Sequence, residues 1–466
     1  MLASSLALTV RVPSEYLFPR AIAPSTRAAH RQMMSTWRSP VRDGADPVVY
    51  PTSFGADPTG KTDSAAAFAA AMTAVLSRAS GNMSDGILDL GGVVMDLQGG
   101  DFLLSSPLTV PQFVGNMRII DGTLRATPNF PADRYVLEIG SRPCNTPSGQ
   151  GSCNENIGMS GLTLDGSHVA AGCLHIAATM GATLDSSSAI FGFVKNGILL
   201  DGGHESMISE TWVAAYFWSD PLKERNNATG IAIAGNDHFL TNVIVFSARV
   251  GVALTGAANK LVNVHTWNDA TGNGGIGILN SASQNIFIGC YLDFTDFVMR
   301  NPNFISFSSG FFLGGAQAVF EAQKPGDTVL GVSFYGNIWY DCSGPSFTVN
   351  ETIGSFTSVI DVDLDGTAFC GYTKSKATGL TKATKFGNFS ASNLIDFSDV
   401  LLFPSAGISS ARSASPGPCP YFPVIGALPG PGDALTLNVT VSCADVNQML
   451  EITVDQSSRS STSAAN

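Results

Sequence analysis

The feature that most constrains the fold is the recurrence of short apolar runs along the chain. Runs broken by Gly, Asn and Asp return at roughly 20 to 30 residues, among them MRIIDGTLRA, IGMSGLTLDG, NGILLDGG, TGIAIAGND, VGVALTG and KLVNVHTW. Strands bounded by turn residues at this density indicate an all-β fold. A period of this length is typical of a solenoid whose rungs stack on one another. We therefore predict a right-handed parallel β-helix. A β-propeller or sandwich is the alternative, but propeller-like signature dipeptides are missing from the runs.

One helix is predicted near the start of the repeats, over residues 63–79. Thr62, Asp63 or Ser64 can cap its N-terminus by accepting backbone N–H bonds. Strong helix formers follow, with an apolar stripe at three- and four-residue spacing formed by Phe68, Met72, Val75 and Leu76. We expect this helix to cover the open end of the coil and its unpaired strand edges.

The chain divides into four segments by composition. Residues 1–47 are Arg- and Ser-rich and are predicted to be a leader, a targeting segment or a disordered stretch. The β-helix is placed at 48–403, a linker and β-rich segment at 404–456, and a disordered tail at 457–466.

Composition narrows the functional classes. Only 13% of residues are charged, 44% are hydrophobic and 49 are glycine, as expected for a large buried interior with many tight turns. The net charge of −12 argues against nucleic acid or an anionic membrane as a partner. No uninterrupted apolar stretch reaches the length of a membrane span. The oligomeric state is not predicted.

Cysteines and sequons favour an oxidising, secretory compartment. Cys144 and Cys153 flank a short loop and could form a disulfide, and Cys419 and Cys443 could form another. None of the eight cysteines lies in a CxxC, and no His/Cys spacing suggests zinc, so neither a metal nor a cofactor is expected. Asn-x-Ser/Thr sequons occur at Asn82, Asn227, Asn350, Asn388 and Asn438. We expect a secreted, extracellular or cell-wall protein.

The segment VYPTSFGADPTGKTDSAAAF resembles the start of the pectate-lyase-like β-helix family, which includes polygalacturonases, rhamnogalacturonases, epimerases and phage tailspikes. Further segments, such as GGVVMDLQGGDFLLSSPL, GNDHFLTNVIVFSARVGVAL and VHTWNDATGNGGIGILNSASQNIFIGCYLDFTDFVM, are similar to plant QUARTET3-type polygalacturonases. The resemblance runs in consistent order from about Val48 to beyond Asn303. It implies hydrolysis of α-1,4-galacturonosyl linkages in pectin, an acidic polysaccharide, outside the cell.

The resemblance does not assign the catalytic aspartates. Ordinary polygalacturonases carry Asn-Thr-Asp, Asp-Asp, Gly-His-Gly and Arg-Ile-Lys signatures. This chain has no Asn-Thr-Asp, Asp-Asp or Arg-Ile-Lys, and only Gly203-His204-Glu205 resembles the Gly-His motif.

Candidate catalytic residues are therefore chosen from polar residues that follow apolar runs. Glycoside hydrolysis needs two carboxyl groups across the scissile bond, about 5–5.5 Å apart for retention or 6.5–9.5 Å for inversion. Asp165, His204 with Glu205, Asp237, His265 with Asp269, and Asp293 could lie along one groove of stacked rungs. The predicted catalytic residues are Asp237, Asp293, Glu205, His204 and Glu224. Asp165 precedes glycine, where aspartate commonly makes a turn.

Substrate binding requires cations if the substrate is a polyuronate, and arginine binds carboxylates bidentately. Arg225 and Arg249 are the arginine candidates, and Asp220 and His265 are further contacts. Asp220, Glu224 and Arg225 share the hydrophilic insertion SDPLKERNNATG, which could wall a cleft. The aromatic residues Trp212, Tyr216, Trp218 and Trp267 could stack on sugar rings, although packing is the default interpretation.

Two other functions stay open at the level of sequence. A calcium-dependent pectate lyase or an epimerase would share the fold, and DVDLDG superficially resembles a calcium loop without the distal glutamate of an EF-hand. A non-catalytic β-helix that binds polysaccharide would explain the missing signatures.

Overall fold

The computed structural model describes residues 47–84, 86–144, 152–216, 227–267, 275–341, 344–364, 381–388, 392–398, 401–414, 424–440 and 449–457. Up to Asn350, most strands form three parallel ladders, because each turn of the chain adds one strand beside its equivalent in the previous turn. The fold is the predicted all-β, right-handed parallel β-helix with an N-terminal helix.

Each turn of the chain passes through the three ladders in the order A, B and C. Ladder A contains Val48–Val49, Ile87–Asp96, Thr183–Asp185, Met207–Ser209, Phe239–Thr241, Lys260–Val262, Ile286–Ile288, Ser306–Ser308 and Ser333–Tyr335. Ladder B contains Thr59–Asp63, Asp101–Leu104, Ala189–Phe191, Trp212–Ala214, Ile244–Phe246, His265–Trp267, Tyr291–Asp293, Phe311–Leu313 and Ile338–Tyr340. The long strands Val114–Ala126 and Asn154–Asp165 run through both A and B. Ladder C contains Leu108–Val110, Tyr135–Ile139, Gly172–Ala177, Asn196–Asp201, Thr229–Ile233, Val250–Leu254, Ile276–Asn280, Asp296–Met299, Ala318–Glu321 and Phe347–Asn350.

Three shorter pairings extend the coil. Thr179–Met180 lies parallel to the start of Asn154–Asp165, and Asn82–Ser84 is antiparallel to the start of Ile87–Asp96. Pro325–Leu330 lies parallel to Ser355–Ile360.

The core is built from the middle residue of each short strand. Successive side chains of a strand point to opposite faces, so a three-residue strand turns one side chain inward and two outward. The inward residues are each 3% exposed or less. They are Leu184, Ile208, Leu240, Leu261, Phe287, Phe307 and Phe334 in ladder A, and Ile190, Val213, Val245, Thr266, Leu292, Phe312 and Trp339 in ladder B. The interior therefore changes from aliphatic to aromatic toward the C-terminal rungs.

A single left-handed residue makes each corner between ladders A and B in the later rungs. These residues have φ between 48° and 65°, and they are Glu210, Asn242, Asn263, Gly289, Ser309 and Gly336. Asn and Gly tolerate this conformation best. The Asn263 amide also donates to Asn242 Oδ1 at 3.1 Å, so the corners are linked along the coil.

The N-terminal helix spans Ala65–Leu76 and packs on the first strands of ladders A and C. Phe68, Met72 and Val75 are buried, as the apolar stripe predicts, and Phe68 meets Phe102 edge to face at 5.1 Å. Ser64 is the residue that precedes the helix, but its hydroxyl accepts from the Asp57 N–H instead of a helical amide.

The last strands form two antiparallel sheets. One contains Lys382–Asn388, Met449–Asp455 and Ser410–Ala414, and the other contains Ser392–Asp396, Thr436–Thr440 and Val424–Ile425. They share a separate apolar cluster that includes Phe397, Leu437 and Val454. Phe403 instead meets Phe320 of the coil at 5.1 Å. The domain boundaries at 47, 403 and 456 stay predictions; the described parallel strands end at Ile360.

The motif GADPTGKTDS has a structural explanation in Asp57. Its Oδ1 accepts from the Thr59 amide at 3.0 Å and the Thr59 hydroxyl at 2.6 Å. Its Oδ2 accepts from the amide and the hydroxyl of Thr62, both at 2.9 Å. These bonds favour the charged form and hold the pKa of Asp57 far below its usual range. The carboxylate thus fixes the loop that leads into the helix.

We expect Asp57→Asn to lower the melting temperature at neutral pH and to lose this effect in acid. Because the folded-state pKa is depressed, the stabilisation is complete above the unfolded pKa of about 3.9 and is lost as the pH falls through the folded value. Thermal unfolding between pH 7 and pH 2 measures the difference, with the exposed Asp133→Asn as control. A difference that does not change with pH would contradict this role of the charge.

Candidate active site

The outer face of ladder B is the surface that carries the candidate site. It is defined here by the outward residues of seven rungs. The first column contains Ala189, Trp212, Ile244, His265, Tyr291, Phe311 and Ile338, and the second contains Phe191, Ala214, Phe246, Trp267, Asp293, Leu313 and Tyr340. Six strand spacings of about 4.8 Å make this face about 29 Å long.

His265 and Asp293 form the polar centre of the outer face. The parallel register places Trp267 beside Asp293 and His265 beside Tyr291. His265 Nε2 lies 3.7 Å from Asp293 Oδ2, which is an ion-pair distance but longer than a direct hydrogen bond. His265 Nε2 and Asp293 Oδ1 are both buried, and neither has a hydrogen-bond partner among the described residues. Unsatisfied buried polar atoms are costly, and each calls for an explanation.

Burial controls the electrostatics of this pair. It raises the pKa of Asp293 above its ordinary value, although His265 acts in the opposite direction. Burial also lowers the pKa of His265, although the charge of Asp293 opposes the change. The imidazole is therefore neutral at neutral pH, and the carboxyl retains its proton to a higher pH than an ordinary aspartate does.

Aromatic rings surround the pair on the same face. Tyr291 stacks on His265 with ring centroids 4.3 Å apart and an angle of 3° between the planes. Phe311 meets Tyr291 edge to face at 5.1 Å. On the other side, Phe246 lies between Trp267 and Trp212, at 6.1 Å and 5.8 Å. The stack restricts the imidazole and presents apolar ring faces along the coil.

A second histidine–aspartate pair lies in the corners that lead into ladder A. His204 pairs with Asn236 as an isolated parallel bridge, and His204 Nδ1 lies 3.6 Å from Asp237 Oδ2. Both side chains are well exposed, His204 to 40% and Asp237 to 48%. Glu205 is exposed beside them. Asp237 and Glu205 have φ of 60° and 49°, in the left-handed region that is common in turns.

The two pairs do not share one groove. Asp237 precedes the ladder A strand of its rung, whereas Asp293 ends a ladder B strand two rungs later. The two-rung offset alone is about 10 Å, and the ladder A strand and the corner after it add to the separation. Asp237 and Asp293 therefore cannot flank one glycosidic bond.

The other candidates have varied positions. Asp165 shares the second column of ladder B, but it is held by Arg125 at 3.3 Å, and the same arginine pairs with Asp101 at 2.8 Å. Arg249 is exposed just after the ladder B strand Ile244–Phe246. Asp220, Glu224, Arg225 and Trp218, together with Asp269, lie outside the described residues.

The structure adds Tyr291, Phe311 and Tyr340 to the residues singled out from sequence. The alternation Tyr291-Leu292-Asp293 predicts that Tyr291 and Asp293 share a face, but the partner rung cannot be identified from this pattern. Of the predicted disulfides, Cys144–Cys153 is confirmed, and Cys419 and Cys443 lie outside the described residues. In the described part of the chain, no group of three or more His, Cys, Asp or Glu side chains is placed to hold a metal ion.

Comparison with known proteins identifies the family. No family model matches the chain. The polygalacturonase QRT3 of Arabidopsis thaliana is 34% identical over 362 residues, which cover 76% of this chain and 73% of the plant protein. The chain belongs to the family of this plant polygalacturonase. Among solved structures, the ORF18 protein of Geobacillus virus E2 matches this polygalacturonase-family chain with a TM-score of 0.54 and 11% identity, covering 91% of this chain and 80% of that one. At this identity, the likeness supports the fold alone.

In this member of the polygalacturonase family, we expect Asp293→Asn to raise the melting temperature at neutral pH. The raised folded-state pKa means that the protonated carboxyl is tolerated, whereas the charged form costs stability as the pH rises from the unfolded pKa of about 3.9 through the folded value. An amide removes that cost, so the difference between variant and native protein should vanish below about pH 4.

The matched control is Asp165→Asn in the same column, which loses an ion pair with Arg125 and should lower the melting temperature. Destabilisation of Asp293→Asn at pH 7 would contradict the electrostatic account of the pair.

Proposed function

We propose that the chain is a glycoside hydrolase that cleaves α-1,4-galacturonosyl linkages of pectin, with Asp293 as the proton donor on the outer face of ladder B. The observation that carries the proposal is that the Asp293 carboxyl lies on the outer face of ladder B with a buried oxygen that no described residue satisfies. Membership of the polygalacturonase family supports the reaction class.

The chemistry follows from the protonation of the pair. A carboxyl whose pKa is raised by burial can keep its proton until it donates it to the leaving glycosidic oxygen. The carboxylate that forms lies 3.7 Å from His265 Nε2, which has no other partner among the described residues. An imidazole N–H at this nitrogen would stabilise the negative charge of the Asp293 carboxylate until the carboxylate is reprotonated. The stack with Tyr291 keeps the imidazole in place for this role.

Hydrolysis also needs a second carboxyl group, to activate water or to attack the sugar. Within the described part of the outer face, no other carboxyl lies within one rung of Asp293. Glu224 and Asp269 follow the ladder B strands Trp212–Ala214 and His265–Trp267 in sequence, and they remain candidates for this role. The proposed contacts of Asp220, Arg225 and Arg249 with the substrate also remain predictions.

The rest of the outer face of ladder B is suited to binding sugar rings. Carbohydrate rings present C–H groups that pack on aromatic faces, while their hydroxyls stay in water. Trp212 is 52% exposed and Tyr340 is 64% exposed, so ring surface is accessible on both sides of Asp293. We propose that the polysaccharide runs along the coil axis over these rungs.

We expect Asp293→Asn to lower kcat on pectin by about 10²- to 10⁴-fold, the usual contribution of a general acid. New reducing ends without an unsaturated uronide, unaffected by a calcium chelator, would identify hydrolysis. Asp237→Asn is the matched variant, because it removes a carboxyl that also lies beside a histidine, and it should leave kcat within a few-fold. Glu224→Gln and Asp269→Asn then test for the second carboxyl.

Loss of activity in Asp237→Asn with full activity in Asp293→Asn would move the site to the exposed pair at His204. Unsaturated products that disappear on chelation would identify a calcium-dependent lyase. Products with unchanged chain length and inverted C5 centres would identify an epimerase, and binding without any product would identify a non-catalytic scaffold.

We also propose that the chain is a secreted glycoprotein of the extracellular space or cell wall. The Cys144–Cys153 disulfide and the plant relative support this location. Among the described residues, no helix is long and apolar enough to cross a membrane. Asn438 is exposed on the strand Thr436–Thr440, opposite Leu394, which is 77% exposed. Asn350, by contrast, uses its Oδ1 to accept from the Thr352 amide at 3.1 Å.

Expressed through a eukaryotic secretory pathway, the protein should carry an N-glycan at Asn438 in preference to Asn350. Glycosidase treatment should lower the mass, and Asn438→Gln should remove one glycan while Asn350→Gln leaves the glycan count unchanged. Secreted protein without any glycan at Asn438 would contradict this assignment.

A further inference from the structure

The antiparallel sheet whose central strand is Met449–Asp455 carries a cleft on its outer face. The cleft has a volume of about 590 Å³. Because successive side chains of a strand point to opposite faces, the buried Ile452 and Val454 face the apolar cluster, and their neighbours face outward. We call this feature the C-terminal cleft, and its lining residues include Lys382, Ser409, Ser410, Arg412, Thr453 and Asp455.

Positive charge is concentrated at the C-terminal cleft. Among the described residues from 325 to 457, the lysines and arginines are Lys382, Lys385 and Arg412, and all three lie on this sheet. Lys385 donates to the main-chain oxygen of Asp396 and lies 5.5 Å from the centre of the Phe397 ring, so it is used within the sheets. Lys382 and Arg412 line the cleft from the two outer strands. Arg412 is exposed and forms no ion pair with a described residue.

One carboxylate, that of Asp455, also lines the cleft. Its Oδ1 accepts from the Ser457 amide at 2.8 Å, and its Oδ2 lies 4.0 Å from Lys382 Nζ. The charge of Asp455 is therefore offset by one of the two cations that line the cleft. Arg412 is left to attract an anion from outside the chain.

Hydroxyl groups and a fixed backbone complete the cleft. Ser409 Oγ donates to the main-chain oxygens of Asp455 at 2.8 Å and Ser457 at 2.9 Å. Gln456 is 3% exposed, and its side-chain amide donates to the main-chain oxygens of Phe403 at 2.7 Å and Ala406 at 3.0 Å. The end of the central strand is thus held in place, and a preorganised site loses less entropy when it binds a ligand.

These groups suit an acidic saccharide. A guanidinium group binds a carboxylate through two parallel hydrogen bonds, and serine and threonine hydroxyls can both donate to and accept from sugar hydroxyls. Lys382 and Arg412 lie on opposite sides of the central strand, so two strand spacings, about 10 Å, separate their strands. A ligand that reaches both cations needs negative charge at two points, as an oligouronate has with one carboxylate on each ring.

The C-terminal cleft lies beyond the site at Asp293 along the coil. The hydroxyl of Ser457, at the edge of the cleft, accepts from the Val362 amide at 3.0 Å. The next residue, Asp363, forms a parallel bridge with Ser333, which lies two turns after the turn that contains Asp293. Three strand spacings, about 14 Å along the coil, therefore separate this level from Asp293.

We propose that the C-terminal cleft is a second, non-catalytic binding site for de-esterified oligouronate, with Arg412 as its main carboxylate contact. It would hold a distant part of the polysaccharide that is cut at Asp293 and so raise the effective concentration of substrate at that site. The inference goes beyond the proposed function, because binding at the cleft does not require hydrolysis.

The first test measures equilibrium binding of the full-length protein to immobilised, de-esterified polygalacturonate at low salt. Every protein carries Asp293→Asn, so that the polymer is not cut. Arg412→Gln should raise Kd at least about tenfold, because a charge-assisted bidentate contact is lost. Arg412→Lys keeps the charge but not the fork, so its Kd should lie between the two.

The matched control is Arg118→Gln, which should leave Kd within about twofold, since one exposed charge far from the ligand contributes little in salt. Arg118 is exposed on the strand Val114–Ala126 and forms no ion pair with a described residue. Melting temperatures check that each variant folds.

Equal losses of affinity in Arg412→Gln and Arg118→Gln would indicate a general effect of net charge and would overturn the assignment to the cleft. An unchanged Kd in folded Arg412→Gln would overturn it as well. Inorganic sulfate that displaces the polymer as effectively as an equimolar oligouronate, at matched ionic strength, would indicate an anion site without saccharide specificity and would also overturn the inference.

The second test separates the cleft from the catalytic site. With the native Asp293, Arg412→Gln should raise KM on long polygalacturonate several-fold and leave kcat unchanged, because only binding at a distance from the reacting bond is lost. On the shortest oligouronate that the native protein cuts, kcat/KM should not change. A lowered kcat on that short substrate would place Arg412 in the catalytic machinery and overturn the inference. If even the native protein releases no product, the proposed function fails, and the binding measurement alone decides the inference.

Discussion

Hydrogen bonding between equivalent strands of successive turns is the interaction on which the rest of the structure depends. Each inner strand of ladders A, B and C is hydrogen-bonded to the strand above and the strand below, so in most rungs residues about 20 to 30 apart in sequence become neighbours about 4.8 Å apart. His265 and Asp293 meet only because of this register, in which Trp267 lies beside Asp293. A shift of one residue would turn Thr266 and Leu292 outward and bury the polar pair.

Short strands make this register robust and the outer face regular. With three residues in a strand, the middle side chain is committed to the core, and the two flanking side chains must face outward. The aromatic core of the later rungs, such as Phe287 against Phe307 at 5.6 Å, forms one buried cluster with Leu292, the inward residue of the strand on which Asp293 lies. Tyr291 and Asp293 therefore project from a packed support rather than from a loop, which is the arrangement that holds reacting groups in fixed positions.

Local sequence patterns predicted much of the fold. They could not predict which residues of successive rungs lie side by side. The stripe Phe68, Met72 and Val75 specifies the helix, and the spacing of apolar runs specifies the coil, because both depend on neighbours in sequence. The site depends instead on the length of each turn, which varies with the insertion after each ladder B strand. Sequence therefore selected His204, Asp237, His265 and Asp293 as polar candidates, but it could not show which of them pair or that the two pairs belong to different ladders.

The two histidine–aspartate pairs differ in chemical character because they lie in different surroundings. Asp237 and His204 stand in exposed corners, where water can solvate each group whether or not it is charged. Asp293 has a side chain that is 18% exposed, among aromatic neighbours, and one of its oxygens has no partner among the described residues. Two conditions would explain such an unsatisfied group: something outside the chain satisfies it, or its altered proton affinity is used. The oxygen of a bound sugar meets both conditions, because it can accept the carboxyl proton and fill the empty hydrogen-bond position.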